Sequence, residues 1–186
     1  MTSSKKSIDN GVNVDALLEA REALTAAPEG AKFKWRADCE WKDGTHSLSS
    51  VESFFGLGEE QKHRRVFSVD ADHRELFAAE DKGATPVVYV LVGLASCLIG
   101  GIAAVAQHRG IQLKSVKAKL EGDMDLRGIL GIDREVRNGL DGIHVSYEIE
   151  ADAGRDEIES LVAQSQKRSA VYDIITNPTK VSISLK

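Results

Sequence analysis

With 186 residues, 42% hydrophobic and 28% charged, the chain is long enough to bury a core and too apolar to be disordered in bulk. A net charge of −5 weighs against a general nucleic-acid binder, which carries a basic excess. Two cysteines, Cys39 and Cys97, are too few for a disulfide-stapled secreted scaffold, and MTSSKKSIDNGVNVD has no signal-peptide core. A reducing cytoplasm is the expected compartment.

In chain order, the first ten residues read as a mobile tail. Val14, Leu17, Leu18, Arg21 and Leu24 follow helical spacing, with Asn13 as N-cap and Pro28 just past the end. Tail and amphipathic helix together take residues 1–30, ahead of a single domain over 31–186. The stretch FKWRADCEW alternates, with Phe33, Trp35, Ala37, Cys39 and Trp41 on one face, and predicts a half-buried strand. Asp43-Gly44 supplies the hairpin turn, and THSLSSVESFF the return strand. EEQKHRR reads as a polar break before a third strand at RVFSVD.

No charged residue occurs from Gly83 to His108. About twenty such residues can span a bilayer. Glycines, alanines, Ser96 and Cys97 interrupt the run, however, and it lies between charged and strand-like segments. A helix over Pro86–His108, closed by Arg109-Gly110 and forming the buried spine of a soluble domain, is the expectation. Beyond it, VKAKLEGDMD predicts a strand, RGILGIDREVRNGLDG turns, and IHVSYEIEAD an alternating strand. Asp152 to Arg168 has an acidic start, the apolar stripe Ile158, Leu161 and Val162, and a basic end, all of which predict a helix. A helical turn at SAVYDII leads past Pro178 to a last strand, VSISL. The sum is α+β with antiparallel sheet, not the regular β-α alternation of a dinucleotide-binding fold.

The glycines of RGILGIDREVRNGLDG do not spell a phosphate loop, and GxSxG, HExxH and CxxC are absent. Asp70, Asp72, His73 and Glu75 read as solvated turn residues rather than metal ligands, as do Glu121, Asp123 and Asp125. No metal and no cofactor is expected. Cys39, flanked by apolar strand positions, reads as a small core residue. Cys97 leaves two readings open. A thiol on an all-apolar helix can be inert packing, or it can be a nucleophile if another element brings it stabilising charge.

The segments TPVVYVLVGLASCLIGGIAAVAQHRGI, EGDMDLRGILGI, VRNGLDGIHVSYEIEADA and QKRSAVYDIITNPTKVSISL resemble the OsmC/Ohr family of osmotically inducible and organic hydroperoxide resistance proteins. The resemblance covers roughly residues 33–185. It implies an intertwined homodimer whose antiparallel sheets, drawn from both chains, wrap long buried central helices. It implies no membrane, and with the acidic balance no nucleic-acid partner is expected. Cys97 resembles the peroxidatic cysteine, flanked by the small residues Ala95, Ser96, Gly100 and Gly101. The implied substrate is an organic hydroperoxide or another small hydrophobic molecule, and the implied role is oxidative stress defence.

The supporting residues differ from the family pattern. Val87 and Val88 stand where a glutamate would hold a cationic partner, and Ser169 where a second cysteine would resolve the oxidised thiol. Lys42, before the hairpin turn, matches the place of the family's arginine, and Arg36 is a further candidate cation. Lysine supplies charge without the planar fork. A one-cysteine enzyme then needs an external thiol or dithiol reductant. The alternative is a non-peroxidase dimer of the same fold that binds a small hydrophobic ligand or handles a sulfur group at Cys97.

Overall fold

The structure is a computed structural model and describes residues 8–185. Most of the tail expected to be mobile, residues 1–7, lies outside the described residues. The chain forms two compact units: Asp15–Tyr89, and the stretch from Val90 onward together with the segment before Asp15.

The Asp15–Tyr89 unit carries α1 (Val14–Ala26), which buries no residue, and strands β1 (Asp38–Asp43), β2 (His46–Gly56) and β3 (Glu59–Ala71). The strands form an antiparallel sheet in the order β1-β2-β3. Because Asp43 pairs with His46, the two-residue loop falls on Gly44-Thr45, one position later than expected. Gly44 takes a positive φ of 48°, which suits the twist of such hairpins. The polar stretch EEQKHRR is not a break. It is the first half of β3, paired with Ser53–Gly56 through the Leu57-Gly58 turn. An edge strand places charged side chains in water without losing its backbone pairing.

The alternating aromatic face is present but open. Trp35 and Trp41 are 68% and 70% exposed, and every residue of β1 is exposed. Alternation decides which face is apolar; burial needs a covering layer. Here the aromatics cover one another, with Trp35 4.8 Å from Phe54 and 5.5 Å from Phe33 between ring centroids. Cys39 is accordingly not a core residue. It is exposed, and the hydroxyls of Ser49 and Ser47 across the sheet draw its thiol below the ordinary value. No cavity penalty attaches to its removal.

The other unit is built on α2 (Pro86–Arg109), whose first turn belongs to the preceding unit. It adds the antiparallel hairpin of β4 (Leu113–Glu121) and β5 (His144–Ala151), the short α3 (Leu126–Ile129), α4 (Arg155–Arg168) and α5 (Ala170–Thr176). α2 is long and apolar enough to cross a membrane, yet it buries a stripe at four-residue spacing, Leu94, Leu98, Ile102 and Ala106. Ala106 packs with Ile111 and Leu161 of α4 in one apolar cluster. The expected burial on all sides is confined to this stripe, and Val90 and Val92 are 44% and 51% exposed. Gly110 ends the helix at φ 70°.

Residues 8–10 are tied to this end of α2 rather than loose. Asn10 donates its backbone N–H to Gln107 (2.6 Å) and its side-chain amide to Ile111 (2.8 Å), while Gln107 donates to the Ile8 carbonyl. The expected last strand does not form within the chain. Val181, Ile183 and Leu185 are 79–100% exposed.

Candidate functional site: Cys97 at the start of α5

Cys97 lies midway along α2 and is half-buried. Its helix neighbours one turn either way are glycines. A Cβ on Gly93 would lie 3.9 Å from the Val171 side chain, and one on Gly101 only 2.3 Å from Ser165 Oγ. Positions 93, 97 and 101 thus form one row facing α4 and the start of α5. Of the two glycines expected to permit close packing after Cys97, Gly101 does so, whereas a Cβ at Gly100 would meet open space. Ser165, 2% exposed, locks the contact by donating its hydroxyl to the Leu98 carbonyl at 2.6 Å.

This close approach makes a testable demand. Gly101→Ala gains about 1 kcal/mol of helix propensity, but overpacking costs about 1–3 kcal/mol. A lowered melting midpoint is expected, partly restored by adding Ser165→Ala. A Gly101→Ala protein more stable than its parent would refute the packing.

The second side of the site is the turn from α4 to α5. Ser169 caps α5, its hydroxyl accepting the Tyr172 N–H at 3.1 Å, and is only 5% exposed. Burial pushes the Cys97 thiol up, but the Ser169 hydroxyl and the backbone N–H groups of Val171 and Ala170 favour its charged form. The net effect is a thiol below its ordinary value. Hydrogen bonds to a charged form favour that form. The groups that lower it are neutral, one hydroxyl and two backbone amides.

The expected cations have other engagements, both in the Asp15–Tyr89 unit. Arg36 makes a two-pronged ion pair with Glu60 at 2.7 and 2.8 Å, and Lys42 pairs with Glu40 at 2.5 Å. Val87 and Val88 open α2 without a carboxylate. Among the described residues no group of three or more histidine, cysteine or acidic side chains is placed to hold a metal ion.

The fold and this site define an α+β protein with a half-buried thiol on its central helix. The family model described as OsmC-like protein matches residues 79–184, more than half of the chain, so the chain belongs to the OsmC-like family. No curated protein matches it. The fold is similar to the OsmC-like protein of Mycoplasma pneumoniae at TM-score 0.60 and 16% identity, covering 78% of this chain and 89% of that one. It is also similar to an organic hydroperoxide resistance protein of Legionella pneumophila, at TM-score 0.53 and 18% identity, covering 76% and 88%.

Proposed function

We propose that the chain is a thiol-dependent peroxidase that reduces organic hydroperoxides through Cys97 alone. The observation that carries this reading is Cys97 half-buried on the row of α2 that faces the start of α5, where Ser169, Val171 and Ala170 lower its thiol against the effect of burial. A thiolate is the nucleophilic form of cysteine. It attacks the distal oxygen of the hydroperoxide, forming an S–O bond as the O–O bond breaks. The alkoxide takes a proton and leaves as the alcohol, and Cys97 is left as a sulfenic acid. Two equivalents of an external thiol, or one dithiol, then return the thiol with release of water and a disulfide. The apolar walls of α2 favour hydrophobic hydroperoxides. The setting that supplies such reductants is a reducing cytoplasm, and the role is defence against oxidative damage.

Rapid mixing with cumene hydroperoxide followed by intact-mass analysis tests the reading. One oxygen gained at Cys97, removed again by added thiol and without an internal disulfide, is the expected result. No gain under excess peroxide, with the fold intact, would overturn it and favour the ligand-binding alternative.

The working form we propose is a homodimer. The exposed side of α2 and the alternating exposed residues Val181, Ile183 and Leu185 support it, since apolar surface of this extent favours association. Light scattering is expected to give twice the 20.2 kDa of one chain. A folded monomer at low concentration would defeat the dimer.

A further inference from the structure

We infer that Asn10 is a deamidation site whose intact amide latches residues 8–11 onto the turn between α2 and β4, and whose conversion to a carboxylate releases them for good. Among the described residues β4 pairs with β5 alone, so its other edge is open. At the start of that edge the Asn10 side chain supplies what a neighbouring strand would. Its Nδ2 donates to the Ile111 carbonyl at 2.8 Å, and its Oδ1 accepts the Leu113 N–H at 2.9 Å. Two glutamines close the latch from the turn side. Gln107 accepts the Asn10 N–H at 2.6 Å. Gln112 accepts the Asp9 N–H and donates to the Asp9 carbonyl and to Asn10 Oδ1, each at 3.0 Å. A Cβ on Gly110 would lie 3.6 Å from the Ile8 side chain, so apolar contact backs these bonds.

Asn10 is followed by Gly11, which has a φ of 74° and no side chain to shield its nitrogen. With the latch open, that nitrogen gives up its proton and attacks Cγ of Asn10. A new N–C bond forms, the Cγ–Nδ2 bond breaks, and Nδ2 leaves as ammonia with the proton from Gly11. Water then opens the cyclic imide to aspartate or isoaspartate, with no change of oxidation state. The closed latch blocks the attack. The Gly11 N–H is held by Asp9 Oδ1 at 2.8 Å, and both polar atoms of the Asn10 side chain are held by the turn. The product cannot latch again, because a carboxylate has no proton for the Ile111 carbonyl and meets it lone pair against lone pair. Isoaspartate also lengthens the main chain. The extent of conversion therefore records how often the latch has opened.

This inference stands apart from the peroxidase reading, and its test reads the chain itself. Full-length protein and a free peptide of residues 5–16 are kept side by side at mildly alkaline pH. Conversion of Asn10 is followed by peptide mass mapping with isoaspartate detection. The folded protein is expected to convert about tenfold more slowly than the peptide, and Gln107→Ala or Gln112→Ala to recover several-fold of that rate. Equal rates in protein and peptide, or no acceleration in either glutamine variant, would overturn the latch. Amide hydrogen exchange of Asn10→Asp reads the released state. The N–H groups of residues 10 and 113 are expected to lose about tenfold in protection, while those of α2 and α4 keep theirs. Undiminished protection at residues 10 and 113 would overturn the switch. Should Asn10→Asp fail to fold, the glutamine variants and the peptide comparison decide.

Discussion

Replacing Cys97 with serine is expected to reduce hydroperoxide consumption to the rate of the uncatalysed reaction. A serine hydroxyl is not ionised near neutrality beside the same three groups, and oxygen has no counterpart of the sulfenic acid that the cycle requires. The wild-type rate should rise with pH and level off once the thiol is ionised, with a midpoint below that of an ordinary cysteine thiol, because burial is outweighed by Ser169, Val171 and Ala170. Coupled assays with cumene hydroperoxide and dithiothreitol across pH 5 to 9 measure both features. Turnover surviving in Cys97→Ser would show that the chemistry lies elsewhere. A midpoint at or above that of an ordinary cysteine thiol would show that these groups do not lower it.

The central helix was legible in sequence almost to the residue, since its uncharged run is bounded by Pro86 at one end and Arg109-Gly110 at the other. β5 was equally plain, because its alternation matches the period of a strand. The first half of β3 was not, since an edge strand can be charged along its length and then carries no apolar pattern. The site divides in the same way. Cys97 was visible through the family's motif, but two of the three groups that lower its thiol are backbone N–H groups of Ala170 and Val171, which leave no mark on side-chain identity. Ser169 was noticed only for the cysteine it is not.

Asp72 was passed over in sequence as a solvated turn residue, yet it is 1% exposed, and its loss is expected to produce the largest destabilisation in the Asp15–Tyr89 unit. Its carboxylate accepts the Thr45 hydroxyl at 2.6 Å, the His73 N–H at 2.8 Å and the Lys82 N–H at 3.0 Å. It thereby joins the β1–β2 turn, the end of β3 and the loop that returns to pair Ala84 with Ala71. The loop also runs close, since a Cβ on Gly83 would lie 2.4 Å from the Asp70 carbonyl oxygen. Asp72→Ala leaves three donors without their acceptor and is expected to lower the melting midpoint by about 5–10 °C, with Asp72→Asn losing less. The Thr45 hydroxyl foremost, then the Lys82 N–H, hold the carboxyl well below the usual carboxylate range. The folded state therefore binds this proton less readily than the unfolded chain, whose aspartates titrate near about 3.9. The stabilisation is complete above that value and drains away as pH falls toward the lower folded one. Thermal melts of wild type and Asp72→Asn should then differ most at pH 7 and converge below about pH 4. A gap between them that stays constant from pH 7 to pH 3 would mean that the carboxylate's charge contributes nothing to the clamp.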